Sequence, residues 1–356
     1  MSLGDDIRKD NDGNVIACCH CGSRSIHKSG FLYRANSKKQ QWYCTACGKK
    51  TVKPTILEKS PFKVEEVDPD HIPIEDLIEY RKKQYKQKAI SKKSKKLVRI
   101  DININGPIGI AHFGDPHVDD DGTDISQILH YMNIINNTPG MFAGNLGDIQ
   151  NNWIGRLSAL YGQQSTSAKE SWRLTEYFVN KLNWLYLVAG NHDVWSGDGD
   201  PLDFIMRDHQ GLYEKWGARM RLVFPNGKEI TINARHTFKG NSIWNTAHGV
   251  ARAAQTGWAD HVLTCGHTHV SGYQVIKNPA NGLVSHALQV ASFKIMDSYA
   301  DKLGLDDKNI FNCPVTIIDP QYEDDDNRLI TTIFNPVIAS EYLTYKREKW
   351  KKTRKK

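Results

Sequence analysis

Residues 108–117 read Ile108-Gly109-Ile110-Ala111-His112-Phe113-Gly114-Asp115-Pro116-His117. An apolar run of strand length closes on a glycine, and a carboxylate and an imidazole follow at once. The same grammar recurs downstream. Met141-Phe142-Ala143 leads to Gly147-Asp148, the run 185–189 leads to Gly190-Asn191-His192-Asp193, and 261–265 leads to Gly266-His267-Thr268-His269. Residues 219–224 and 229–235 flank Pro225-Asn226-Gly227-Lys228, a tight-turn signal, so they predict a hairpin that ends on His236. Helical spacing appears between the runs: Ile125, Ile128, Leu129, Met132 and Ile135 before Pro139-Gly140, then Trp172, Phe178 and Leu182 within 168–182. A further helix is expected over 242–255, and later strands over 283–291, 314–318 and 329–334. The alternation predicts an α/β fold that delivers its polar residues at strand ends.

Hard carboxylate oxygens mixed with imidazoles are donors for divalent cations, and hydrolysis of a phosphate ester by two metal ions needs such a mix, with one ligand shared. The set Asp115, His117, Asp148, Asn191, His236, His267 and His269 resembles that of the calcineurin-like metallophosphoesterase family, over roughly residues 106–320. Joined to a cysteine-bearing basic module (Cys18, Cys21, Cys44, Cys47) and to basic tracts at 81–99 and 346–356, this set is similar in arrangement to bacteriophage-encoded metallophosphoesterases with nucleic-acid-binding extensions. The resemblance implies two packed mixed β-sheets flanked by helices. It assigns Asp115, His117 and His269 to one metal, Asn191, His236 and His267 to the other, and Asp148 to the bridge. It favours Mn²⁺ over Fe or Zn²⁺ in that site. A metal-activated hydroxide would attack phosphorus, with His192 assisting the leaving group and Asp193 orienting and charging the His192 ring. His236 is taken as the second-site ligand because it ends a strand; His248, inside the expected helix, competes for the place. Asn152, Lys239, His248 and Arg252 are expected to line the substrate pocket. Trp153 and Trp195 are stacking candidates, Lys294 a phosphate contact, and Asp119, Asp120 and Asp121 a solvated turn.

Five of the seven cysteines, Cys18, Cys19, Cys21, Cys44 and Cys47, fall in the first 47 residues. Cys18-x-x-Cys21-Gly22 and Cys44-x-x-Cys47-Gly48-Lys49 are two knuckles across a polar hairpin-like stretch, a strong signal for one structural Zn²⁺ on Cys18, Cys21, Cys44 and Cys47. Cys19 is read as pointing away, and Cys265 and Cys313 as inert core. The module resembles the zinc ribbons of transposase-associated and other DNA-binding proteins. Lys28, Arg34, Lys38, Lys39, Lys49, Lys50 and Lys53 make it basic.

The whole chain of 356 residues is ordinary in composition, with 39% apolar and 24% charged residues and a net charge of +7. Its charge is unevenly placed. Ten Lys or Arg lie between Arg81 and Arg99 without an acid, and eight lie in 346–356 against Glu348 alone. These tracts suit polyanions. The organisation expected is a zinc ribbon (15–57), a basic, partly helical linker (58–105), a catalytic domain (106–340) and a basic tail (341–356). The function expected is a dimetal phosphodiesterase acting on nucleic acid, DNA favoured. The alternative is a phosphomonoesterase or nucleotide hydrolase that uses the ribbon to dock a protein partner. The polar start of the chain and the lack of an 18-residue apolar run point to a cytoplasmic protein without a membrane partner, in the host cytoplasm if phage-encoded.

Overall fold

A computed structural model of the chain describes residues 9–10, 14–57, 73–94, 97–153, 155–193, 201–279, 281–296, 304 and 308–354. The chain divides into two compact units, Met1–Arg81 and Lys82–Lys356. Among the described residues, no helix is long and apolar enough to cross a membrane.

The first unit is built of short strands. β1 (Ile16–Ala17) pairs with β5 (Thr55–Ile56), and β2 (Ile26–Arg34), β3 (Ser37–Cys44) and β4 (Lys50–Thr51) form an antiparallel sheet in the order 2-3-4. Its apolar core is small: Ile16, Cys18, Ile26, Trp42 and Cys44. So little buried surface contributes little stability to a fold of this size, and the four cysteines beside it are grouped so that they can hold a metal ion. Helix α1 (Ile74–Ser94) follows, with Leu77, Ile78, Tyr85 and Ile90 all exposed, as its thin apolar side implies.

The second unit holds two six-stranded mixed sheets. Its strands are β6 (Val98–Asp101), β7 (Ile108–Phe113), β8 (Met141–Asn145), β9 (Trp184–Ala189), β10 (Leu212–Lys215) and β11 (Gly217–Val223). They continue with β12 (Glu229–Arg235), β13 (Val262–Cys265), β14 (Gly272–Lys277), β15 (Val284–Gln289), β16 (Val315–Ile318) and β17 (Ile330–Ile333). One sheet runs 10-9-8-7-16-17 and the other 14-15-13-12-11-6. In the first, β7, β8, β9 and β10 are parallel; in the second, β12, β13 and β15 are. The helices are α2 (Ile125–Asn137), α3 (Ala168–Asn180), α4 (Pro201–Ile205), α5 (His248–Thr256) and α6 (Pro336–Thr353), with a 3₁₀ segment over Gly155–Gln163.

Strand periodicity sorts the core into layers. In β7, Ile108 and Ile110 pack with Met220, Leu222, Ile232 and Val262 between the two sheets. Ala111 and Phe113, on the opposite face, pack with Ile128, Met132 and Phe178 from α2 and α3. α5 covers the far side of the other sheet, where Val250 and Ala254 meet Leu263 and Ala287. With strands buried on both faces, the runs read as near-continuous apolar sequence.

Three sequence expectations are corrected here. The basic tail 341–356 is no tail as far as residue 353. It continues α6, which begins at Pro336 capped by Asn335, and buries Ala339 and Leu343. Lys346 pairs with Asp319 at 2.6 Å, and Arg347 donates to the Pro107 carbonyl. A basic composition hid a helix that packs through Ala339 and Leu343 and places two of its cations, Lys346 and Arg347, on acceptors. The segment 58–105 is not all linker: its end, β6, pairs with β11 in the second sheet, while residues 58–72 lie outside those described. The helix expected over 242–255 starts only at His248, because Asn245 accepts from the Ala247 backbone and Thr246 donates to the Ser271 carbonyl, which holds 242–247 as a loop.

Candidate metal centre

Each chemical residue leaves the carboxyl end of a strand, where parallel strands open their loops. β7 delivers Asp115 and His117, β8 Asp148, and β9 Asn191 and His192, all from one sheet. β12 delivers His236, and β13 His267 and His269, from the other. The two edges meet. The His267 backbone N–H donates to Asp115 Oδ2 at 2.5 Å, and His236 Nδ1 donates to the Leu146 carbonyl at 2.9 Å.

Backbone conformation marks the same residues. Among the described residues other than glycine, positive φ occurs at Asp115, His117, Asp148, Asn152, Trp216, His267 and His269. Five of these are sequence-selected ligands, so the unfavourable conformation, of order 1–3 kcal/mol each, concentrates where side chains must be aimed inward. The preceding glycines are fixed by space. A Cβ at Gly190 would lie 2.1 Å from Asp148 Oδ1, and one at Gly266 2.4 Å from Asp115 Oδ1.

Around Asp148 the side chains present lone pairs to one another. Because His236 Nδ1 carries the proton given to Leu146, its Nε2 is the acceptor face of a neutral ring. That atom lies 2.8 Å from Asn191 Oδ1, 3.2 Å from Asp148 Oδ2 and 3.0 Å from His267 Nδ1. Asn191 and Asp148 bring oxygen acceptors to that nitrogen, and a cation there, a second proton on His236 or a metal ion, would satisfy them; His267 Nδ1 accepts or donates according to its tautomer. Without a metal, the proton is favoured. Burial opposes the charged ring, but Asp148 and Asp115 outweigh it and push the His236 pKa up to about 10. Asp148, although burial works to raise it, is held well below the usual carboxylate range by His236, His192 and His117. Asp148, His236 and His267 place ligand atoms within 4.8 Å of one another, a grouping that can hold a metal.

A second group adjoins it. His117 Nε2 and His269 Nε2 stand 3.3 Å apart, and His269 Nε2 is 3.5 Å from Asp115 Oδ2. Asp115 Oδ1 is buried without a hydrogen-bond partner, and burial raises its carboxyl to about 6 against the pull of His236 and His269. Burial, then the charge of His269, lowers the His117 pKa well below its ordinary value. A neutral imidazole and an orphaned carboxylate oxygen are what a cation would use.

His236, not His248, joins the Asp148 group; His248 stands at the first residue of α5. The expected role of Asp193 is corrected. Its carboxylate accepts from the backbone N–H groups of Asp148, Ile149 and Gly190 at 2.7, 3.0 and 2.8 Å, so it clamps two ligand loops and does not reach the His192 ring. His192 is oriented instead by the Asn151 carbonyl, which accepts from Nδ1, while its backbone N–H donates to Asp148 Oδ1 at 2.8 Å. Trp153 stands edge-on to the His192 ring at 5.2 Å; Trp195 lies outside the described residues. Asn152, expected to meet substrate, is buried and donates to the His192 carbonyl at 2.9 Å. Lys239 and Arg252 are exposed, and nothing brings them to the Asp148 group.

The acidic turn is likewise not solvated throughout. Asp119 is buried and accepts from the Asn151 backbone, Gln164 and Ser171. Lys294 lies 3.0 Å from Asp120 Oδ2 and is nearly buried, so it braces this loop. Sequence reading missed Ser292, which donates to the Asp115 carbonyl, and Gln289, which donates to the Gly266 carbonyl. Neither has a spacing that would have flagged it.

In the first unit, Cys18 and Cys47 sulfurs lie 3.7 Å apart and Cys21 and Cys44 3.6 Å apart, with all four within 4.8 Å. Ligands about 2.3 Å from a tetrahedral centre are separated by about 3.8 Å, so the four thiols fit one metal ion. Each knuckle closes on a positive-φ glycine whose N–H donates to the first cysteine's carbonyl, Gly22 to Cys18 and Gly48 to Cys44. Cys19 turns outward to Thr51, and Cys265 and Cys313 are buried.

No known protein-family model matches this chain, and no curated protein sequence matches it.

Proposed function

We propose that the second unit is a dimetal phosphoesterase of the calcineurin-like kind, acting on phosphodiester bonds of nucleic acid. The observation that carries the reading is the convergence of acceptor atoms from both sheets on Asp148. One group is Asn191, His236 and His267, and the adjoining one is Asp115, His117 and His269. These residues would hold two divalent ions; their mixed imidazole, amide and carboxylate donors suit Mn²⁺, Fe or Zn²⁺, and the family resemblance favours Mn²⁺. When bound, such ions neutralise phosphate charge and bring the pKa of a coordinated water toward neutrality.

The chain's own groups do the rest. Asp193 holds the Asp148 and Gly190 backbones in register, and the His236 Nδ1–H bond to Leu146 keeps Nε2 turned inward. With Nδ1 anchored on Asn151, His192 Nε2 is the atom that can give a proton to a leaving alkoxide. Nucleic acid as substrate is supported by the acid-free run of ten Lys or Arg between Arg81 and Arg99 and by the basic, acid-free residues 14–57, and one Zn²⁺ on the four cysteines by their spacing.

The test is incubation of the protein with Mn²⁺ and end-labelled single- and double-stranded DNA. A chromogenic phosphomonoester and a phosphodiester run in parallel, with Asp148→Ala as control. DNA cleavage and diester turnover that vanish in the variant are expected. Intact DNA with rapid monoester turnover would replace the reading by a phosphatase.

A further inference from the structure

The first unit carries two large aromatic rings that its core does not use. Phe31 is 48% exposed and Tyr33 69% exposed, at alternate positions of β2 beyond a bulge between Lys28 and Phe31, so they share a face. The small core ends before them, at Ile26 and Trp42. Cross-strand register sets Lys38 opposite Tyr33, and its ammonium lies 4.2 Å from the Phe31 centroid and 5.6 Å from that of Tyr33. The two rings stand 6.4 Å apart with planes inclined by 55°, so neither covers the other's π-face. Charge around them has one sign: residues 14–57 hold eight Lys or Arg and no Asp or Glu. Four thiolates around a divalent ion offset only part of that surplus.

We propose that the β2–β3 hairpin is a stacking platform for single-stranded polynucleotide. Bases lie on Phe31 and Tyr33, and phosphates are met by Lys28, Arg34, Lys38 and Lys39. An apolar protein surface would match the rings but leave this cationic surround unanswered. A polynucleotide supplies both π-faces and regularly spaced anions. In a duplex the base faces are stacked on one another and only edges show, so exposed rings select a single strand. The inference deepens the nucleic-acid reading of the second unit by naming the strand form. Its test reads binding alone, without added Mn²⁺, so it stands or falls apart from which ester is cleaved.

The experiment uses the full zinc-loaded chain and fluorescence anisotropy with labelled 12-mers of oligo(dT), oligo(U) and duplex DNA. A single strand, of either sugar, is expected to bind tighter than the duplex, and the two arms tell which sugar is preferred. Phe31→Ala with Tyr33→Ala is expected to weaken single-strand binding at least tenfold, at unchanged zinc content. Phe31→Trp with Tyr33→Trp restores it, because stacking and not the particular ring is required. Replacing Lys38 and Lys39 by alanine lowers the slope of log affinity against log salt by about 0.7 for each phosphate that is no longer neutralised. Duplex binding as tight as single-strand binding would overturn the proposal, as would a double alanine variant that binds like the parent.

Discussion

Gly190→Ala isolates the geometry of the candidate centre in one methyl group. Gly190 does not have positive φ, so alanine adds no backbone strain and acts only through space. The new Cβ would lie 2.1 Å from Asp148 Oδ1 and 2.7 Å from both the Asp148 nitrogen and His236 Cε1. Ordinary contact begins above 3 Å, so the carboxylate must retreat by about 1 Å, and overpacking of this kind costs roughly 1–3 kcal/mol. The retreat would break the 2.8 Å bond from the His192 backbone to Oδ1 and disturb the 3.2 Å approach of Oδ2 to His236. A displacement of about 1 Å at a reacting centre lowers turnover by about a hundredfold. The assay pairs metal content of the purified protein with Mn²⁺-dependent diester hydrolysis. Gly162→Ala, where nothing lies within 4 Å, is the control expected to behave as the parent. If Gly190→Ala keeps its metal complement and hydrolyses diester within twofold of the parent, the close approach of these loops does not govern the site.

Other perturbations separate the remaining roles. His192→Ala is expected to lose roughly 10²- to 10⁴-fold in turnover while retaining bound metal, read by elemental analysis beside kinetics; loss of metal would make His192 a structural residue. Cys44→Ser should abolish stoichiometric zinc and render residues 14–57 protease-sensitive, because the five-residue core around Trp42 does not suffice without the cross-link. Burial, helped by the charge of His261, holds the His286 pKa near 4, and burial alone holds that of His112 near 3. Both therefore protonate in the unfolded chain below about pH 6.5 but stay neutral in the folded one until pH 3–4. Unfolding is thus favoured as pH falls from 6.5, by about 2 kcal/mol per histidine at pH 5, and the urea midpoint should drop between pH 7 and pH 5. His112→Gln should remove its share of that drop.

Much of this layout was legible because periodicity and strand-end chemistry coincide. Ile108–Phe113 announced a strand buried on both faces, and the polar residues after it could only sit at its open end. The candidate ligands were readable for the same reason. What sequence did not show depended on partners far along the chain. Asp193 looks like a catalytic neighbour of His192, yet three backbone N–H groups 3 to 45 residues away claim its carboxylate. Asp119 sits among three consecutive acids, which reads as a solvated turn until Ser171 and Gln164 arrive to bond it. The basic end of the chain masked Ala339 and Leu343, whose helical spacing is brief and surrounded by lysines. In each case side-chain type was informative about charge and silent about which backbone would need it.

Three costs meet in the second unit, and one event relieves them all. Five ligand candidates hold positive φ, Asp115 Oδ1 is buried without a partner, and the Nε2 lone pair of His236 faces oxygens of Asn191 and Asp148. A divalent cation at each group answers the orphaned and converging atoms and returns binding energy against the backbone strain. Ions that bind only the folded state stabilise it by RT ln(1 + [L]/Kd), about 2.7 kcal/mol per site at a hundredfold excess over Kd. For a unit of this size each kcal/mol moves the melting temperature by roughly 2–4 °C. Saturating Mn²⁺ should therefore raise the melting of the second unit by about 5 °C or more over chelated protein. Asp148→Ala should erase most of that difference while leaving the cysteine-bearing unit's zinc in place. Calorimetric traces that coincide with and without Mn²⁺ would mean the acceptors are satisfied by protons on His236 alone, and the centre would not be a metal site.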